Sequence, residues 1–545
     1  MSAGRPSLAV TSGVESVPRL MKYGPGQFTD LACSSDPKTH QIVCGIWTSD
    51  DITDGEEVFD AEVDEVKFVT EGESLWKDIT TGKTVVANKG DMLWFPKGAS
   101  SILVWSRNLS AFYVEATHRK VSVVTKSNTQ LGAIANDLLA RLTNYYVVNN
   151  PMSKKAFEEA VTHLPSSNPS SGLKYGPFSM VFKSSNGCYI TSLDSREYLD
   201  FAAEYSTSIL GHSHPEITKT IEAAVACDIN LGGPDMEEAK LGALLKSRMP
   251  SLEGIHFCAS EAQARTKALT LACSYTKKAK VIAFTQVCHD GHHEFSDIPT
   301  PFDFAIGRYN DIEHTRAMID DTLAVIIVEP VQVGAGVLPA SCEFPQFLRD
   351  AADGTNANLI FDEGVTSRLH YGGMQGYHGI KPDMTLLGSC LGGLSLGLFG
   401  GSATIMNLLE PHASGHLRSG RSNNSTLSIR AGVTCCEVLT EDIIASTNTL
   451  GDRLRDGINQ FGRLATPAFV TATGLGSLVG IQFGGSSALE LSDAFFFFML
   501  KEGIFIGRKG VLALNMTHRD EHITRALNAV RCFVEHALVE DWSMS

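Results

Sequence analysis

A surplus of positive charge is what this sequence most plainly lacks. Its 545 residues carry 45 Lys and Arg against 61 Asp and Glu, a formal net charge of −16. That balance excludes a general nucleic-acid-binding protein, which presents a basic face to phosphate. It also argues against docking on anionic membranes. Long hydrophobic runs are missing too: a membrane span takes about 18 consecutive apolar residues, and the greasiest stretch, Ala494–Leu500, is far shorter. The opening residues MSAGRPSLAVTSGVESVP hold no hydrophobic core of signal-peptide length. The 12 cysteines include no C-x-x-C pair, and Cys435 and Cys436 are adjacent, a poor arrangement for a disulfide framework. A reducing, cytoplasmic compartment is therefore expected. Apolar residues at 43% and charged residues at 19% are ordinary for a globular chain, and this length predicts about two to four domains.

The texture changes along the chain. Residues 38–118 read as short strands: Val66–Val69, Thr84–Ala87, Met92–Phe95 and Ile102–Trp105 are β-branched or aromatic, with Gly72, Gly82, Gly90 and Gly98 at the turns. No long amphipathic pattern interrupts them, which predicts an all-β barrel or sandwich. Leu131–Leu142 has helical spacing, and Pro165–Gly172 reads as loop. Val281–Phe284, Ala324–Val328 and Asn358–Phe361 are continuous apolar runs flanked by helical segments, the signature of buried parallel strands in an α/β domain. After about residue 430 the pattern is helix, strands, helix, an α+β unit. The expected domains are 38–118, 119–430 and 431–545.

Asp64–Glu73, followed by Gly90-Asp91-Met92-Leu93-Trp94-Phe95-Pro96-Lys97-Gly98, resembles a cupin, closest to the ethanolamine-utilization type. Metal-binding cupins carry an H-x-H pair plus Glu and a further His. Here no histidine stands at the H-x-H positions, Ser100 or Ser101 stands at the later one, and His40 and His118 lie outside both motifs. No metal is expected. Glu62, Asp64 and Glu65 remain as oxygen donors for a hard cation, or form a solvated acidic edge.

Leu359-Ile360-Phe361-Asp362-Glu363 reads as a buried strand ending in two acids, the end where α/β sheets bind ligands. It continues through Gly364–Arg368 to Gly379-Ile380-Lys381-Pro382-Asp383 and Thr385–Gly388. With Tyr198–Phe201, Gly211-His212-Ser213-His214-Pro215, Val328-Glu329-Pro330, Asn423-Asn424 and Arg508-Lys509-Gly510, this ordered set resembles class III pyridoxal-phosphate aminotransferases, nearest the glutamate-1-semialdehyde aminomutase branch. The resemblance spans roughly residues 145–540. It implies a fold-type I large domain, a C-terminal small domain, a homodimer with sites at the subunit interface, and a small amine or amino-acid-like ligand. It also implies that Asp362 faces the cofactor's ring nitrogen and that Glu329 lies at the catalytic site.

Five contact positions depart from the family. The Schiff-base lysine of T-L-G-K-x-x-G-G is Ser389, and a hydroxyl neither forms the imine nor replaces the amine that shuttles the proton. In the phosphate loop Ser260 is kept, but Glu261 replaces glycine and Ala262 replaces threonine, setting a carboxylate where helix amides hold phosphate. The ring-stacking Y-H-G is Cys288-His289-Asp290. The threonine lent by the neighbouring subunit is Arg421, and the family's early arginine is near Ser170. His289 reads equally as a core histidine or a ligand. Arg421 reads equally as a phosphate anchor or as a partner closing the cup on Glu261. Pyridoxal phosphate, if bound, is expected to be non-covalent. Lys267 and Lys381 are the stand-in amines to consider.

Three readings follow. The chain is a class III homologue that has lost ordinary transamination; or an active pyridoxal-phosphate enzyme with a non-standard site; or a scaffold acting through its cupin-like module. The first is preferred, with a place in specialised metabolism by association.

Overall fold

The computed structural model describes residues 21–23, 26–33, 41–49, 51–56, 58–61, 64–117, 128–164, 175–227, 235–285, 302–388, 390–410, 425–462, 470–485 and 487–538. The chain divides into two compact units: Met1–Lys126 with Gln460–Ala468, and Ser127–Asn459 with Phe469–Ser545. The loop expected at 165–172 lies outside the described residues.

The N-terminal unit is antiparallel β-structure. Its strands lie in the order Met21–Tyr23, Gly26–Cys33, Gln41–Ser49, Ser100–Thr117, Glu65–Asp78, Thr84–Asn88; Val58–Asp60 also pairs with Ser100–Thr117, and Met92–Phe95 with Glu65–Asp78. All four expected strand segments are present. Strands also form ahead of residue 38, at Met21–Tyr23 and Gly26–Cys33, where the sequence is too polar to show a β pattern. Register shifts in the Glu65–Asp78 strand between Val69 and Glu71 and between Glu71 and Glu73 bend it against Ser100–Thr117. Gly72 sits at that bend with φ +76°, and a methyl group there would lie 2.3 Å from the Arg107 carbonyl oxygen.

The interior holds Trp47, Trp76, Phe95, Leu103 and Tyr113. Along Glu65–Asp78 the inward residues begin with Glu65, Lys67 and Val69, while Phe68 points out and is 46% exposed. Lys67 is 3% exposed. Its ammonium meets Glu65 and stands 5.0–5.7 Å from the ring centres of Trp47, Phe59, Phe95 and Tyr113. The acidic edge expected at 62–65 is therefore corrected at Glu65, which is 6% exposed and paired. Asp64 is exposed and accepts from the Lys97 N–H at 2.9 Å; Glu62 lies outside the described residues. Among the described residues no three His, Cys, Asp or Glu side chains group to hold a metal ion.

The second unit is built on a seven-stranded sheet in the order Gly254–Cys258, Gly397–Gly401, Met384–Leu387, Asn358–Asp362, Leu323–Val328, Lys280–Thr285, Asp303–Arg308. The last five are mutually parallel, and Gly397–Gly401 runs antiparallel to both its neighbours. All six residues of Leu323–Val328 are buried, as continuous apolar strands covered on both faces require. The α/β expectation holds here, with the three named strands in place. The C-terminal segment forms a three-stranded sheet, Val470–Leu475, Leu478–Phe483 and Val511–Ala513, with helices Glu441–Gly462, Ala488–Lys501 and Asp520–Leu538. It also sends Ile504–Phe505 to pair in parallel with Glu197–Asp200. Among the described residues no helix is long and apolar enough to cross a membrane.

Candidate active site

The carboxyl ends of Asn358–Asp362 and Met384–Leu387 meet the amino end of helix Glu261–Thr276. Ser260 caps that helix: its Oγ accepts from the Gln263 N–H at 3.3 Å, and the Gln263 side chain accepts from the Ala259 N–H at 2.9 Å. Glu261 opens the first turn, where a carboxylate is favoured by the helix dipole. Its side chain fills the space above the strand ends. A methyl group on Gly388 would lie 1.9 Å from Glu261 Oε1, and one on Gly364 would lie 3.1 Å from Oε2. Ala262 is exposed and brings no donor.

One turn on, Arg265 reaches the strand end. Its Nε donates to Asp362 Oδ2 at 2.9 Å, and its Nη2 stands 2.8 Å from the same oxygen. The other oxygen, Oδ1, accepts from the Gly364 N–H at 3.3 Å, so Asp362 also caps its own loop. Arg265 was not singled out in the sequence. The available signal was its place four residues after Glu261, on the same helix face.

Glu363 follows Asp362 but turns inward. It is fully buried, its Oε2 accepts from the Met374 N–H at 2.5 Å, and burial pushes its carboxyl up to about 7. Glu329 lies past the end of Leu323–Val328 and accepts from the Val333 N–H at 3.3 Å. Asp200 and His212, from two stretches of the amino-terminal signature, are joined at 2.7 Å. Lys267 stands 3.2 Å from His256 Nε2, and Lys381 donates to Glu253 at 2.9 Å; each stand-in amine is thus engaged away from Asp362. Ser389, Cys288, His289 and Arg421 lie outside the described residues, as does Ser170. Cys390, next to Ser389 in the sequence, is buried, which pushes its thiol up to about 12.

The aminotransferase class-III profile matches residues 171–296 and 303–533. β-Phenylalanine transaminase of Variovorax paradoxus is 32% identical over 421 residues, covering 74% of this chain and 97% of that protein. The chain belongs to the class III aminotransferase family. Another similar member is glutamate-1-semialdehyde 2,1-aminomutase 2 of Lysinibacillus sphaericus, 31% identical over 418 residues, with 69% of this chain and 96% of that protein covered. A crystal structure of a β-phenylalanine aminotransferase from Variovorax paradoxus matches with a TM-score of 0.70 at 32% identity, over 73% of this chain and 97% of that one. Pyridoxal phosphate is the cofactor of class III aminotransferases.

Against that cofactor, this class III chain shows a charge mismatch at both ends. The helix terminus that would receive phosphate carries Glu261 over Gly388 and Gly364. The carboxylate that would face a protonated ring nitrogen already holds a guanidinium. The described residues do not fit pyridoxal phosphate held in the family's manner.

Proposed function

We infer that this class III family member binds a small amine or amino-acid-like molecule and does not perform ordinary transamination. The observation that carries this reading is the Arg265–Asp362 pair at the strand end. Transamination needs the strand-end carboxylate to keep the ring nitrogen protonated, so that the ring draws electrons from the substrate. An oxygen that already accepts two guanidinium contacts is not free for that task. Two features support the reading: Glu261 at the phosphate position, and Ser389 at the lysine position of the sequence. The chain is proposed to work as a homodimer, as its family relationship suggests. Its N-terminal unit is proposed to be a cupin-like module, on the antiparallel strands and the Gly90–Gly98 segment. That module takes no transition metal in this reading, because Lys67 supplies the interior cation.

The test is spectroscopic. Purified protein is titrated with pyridoxal phosphate, then reduced with borohydride and mapped by peptide. The reading expects no pyridoxyl-lysine. It also expects the double variant Glu261→Gly, Arg265→Asn to bind pyridoxal phosphate at least tenfold more tightly than wild type. A labelled lysine in wild type, at Lys267, Lys381 or elsewhere, overturns the reading in favour of an active enzyme with a non-standard site.

A further inference from the structure

In the N-terminal unit three strands lie side by side: Ser100–Thr117, Glu65–Asp78 and Met92–Phe95. Val66 stands opposite Val114 on one neighbour and Trp94 on the other, and Phe68 stands opposite Phe112 and Met92. These two rows make a grid of six apolar side chains on the outward face, with no charge among them. Met92 is 67%, Trp94 58% and Phe68 46% exposed; Val66, Phe112 and Val114 are half-buried.

The alternate residues of the central strand, Glu65 and Lys67, are the ones turned inward. An antiparallel sheet with one solvated face ordinarily shows polar residues to water and apolar residues to the core. Here the order is inverted over these two rows, and in an isolated unit both halves of the inversion cost free energy. The charges lose their water, and the apolar groups stay in it. At about 200 Å² per large side chain, Phe68, Met92 and Trp94 leave roughly 350 Å² of apolar surface exposed, the size of patch that marks an interaction site. A cover over this face removes the second cost.

The border of the grid is polar. Asp91 precedes Met92 at one end and Lys97 follows Trp94 at the other, both exposed. An apolar centre of Trp, Phe and Met inside a polar rim is the anatomy of a protein interface.

The surface that fits this grid is the grid itself. With no charge inside it, nothing in it is repelled by its own copy, and an isologous contact needs no second surface. A two-fold axis across the strands sets each strand antiparallel over its own copy. Met92 then lies over Trp94 of the other copy, Phe68 over Val66 and Phe112 over Val114, each row meeting the other. The Asp91 end of one copy faces the Lys97 end of the other, so the rim charges are opposite where they meet.

We propose that this outward sheet face is an interface between two copies of this chain, packed face to face about that axis. The contact belongs to the N-terminal unit alone and is additional to the homodimer inferred from the family. Six side chains a copy form its centre, and the polar rim completes the roughly 800 Å² per partner of a standard interface.

The test is photo-cross-linking of the full chain at micromolar concentration, with Trp94→p-benzoylphenylalanine as the probe. A benzophenone inserts into a C–H bond that it touches. The expected product is a band of doubled mass on a denaturing gel, with the new bond mapped to Met92 of the second copy. Phe68→Lys in the same chain sets two ammonium groups into the closed face and should lower the yield at least tenfold. Met236→Lys, 87% exposed on the second unit, should leave it unchanged. Circular dichroism of each variant shows that it is folded. A bond formed within one chain overturns the proposal, because the face is then covered by the chain's own second unit. Absence of any cross-link overturns it, as does a doubled band mapped outside residues 64–117 or a yield that Phe68→Lys leaves intact.

Discussion

Each unit holds a cation–carboxylate pair, and the two pairs differ in how they are enclosed. In the N-terminal unit Lys67 and Glu65 lie two residues apart on one strand, so the strand's alternation delivers them together. Four aromatic rings surround the ammonium, and both side chains are under 10% exposed. In the second unit Arg265 and Asp362 come from a helix and a strand 97 positions apart, with side chains 23% and 16% exposed. The first pair is sealed from water and serves the fold. The second stands at the carboxyl end of a sheet strand and is partly open to solvent. The same chemistry is sealed from water in one place and partly open to it in the other.

The sharpest way to break this comparison is to remove the sealed cation. Lys67→Met leaves Glu65 buried and unpaired, and breaking a buried pair costs about 3–5 kcal/mol. The double variant Glu65→Leu, Lys67→Met should recover most of that, since apolar pairs of similar volume replace buried ion pairs well. Denaturant unfolding of both variants measures the difference. A loss below about 1 kcal/mol for Lys67→Met would show the cage to be open to water.

His212 gives an intermediate case, buried but flanked by the accessible Glu204. Its folded pKa of about 9 exceeds the unfolded value of 6.5. Its stabilisation is therefore fully present below pH 6.5 and is lost as pH rises through 9, on the order of 2 kcal/mol in total. Melting temperature measured from pH 6 to pH 10 should fall across that window, and His212→Gln should flatten the fall.

Arg265→Ala is expected to cost only about 1 kcal/mol, because solvent screens a partly exposed pair. A loss as large as that of Lys67→Met would mean that the strand-end pair is structural and would remove the contrast. The smallest effect belongs to a surface helix pair, Arg141 with Asp137, 2.8 Å apart but with side chains 45% and 60% exposed. Arg141→Ala should change unfolding free energy by roughly 0.3–0.5 kcal/mol.

The strand-end site was half legible in the sequence. Asp362 could be placed because an apolar run followed by two acids marks the carboxyl end of a buried strand. Arg265 could not, because its contact depends on where the helix lands on the sheet. In the N-terminal unit the strands were legible and their facing was not. Hydropathy assigns Phe68, Met92 and Trp94 to the inside, yet they are 46%, 67% and 58% exposed, while Glu65 and Lys67 point inward. Alternation fixes that two faces exist; a charged pair that satisfies itself lets the polar-looking face turn in. Ser389, Cys288, His289 and Arg421 were placed by motif alignment alone.

The clustering of rings around Lys67 also gives the molecule a built-in optical probe. The chain has five tryptophans, and four of them, Trp47, Trp76, Trp94 and Trp105, belong to the N-terminal unit; the fifth, Trp542, lies outside the described residues. Indole emission therefore reports chiefly on the β unit, while the helical dichroism signal comes from the second. Heating the protein while recording both would separate the two transitions without cutting the chain. Emission and dichroism curves that coincide would show the units to melt as one.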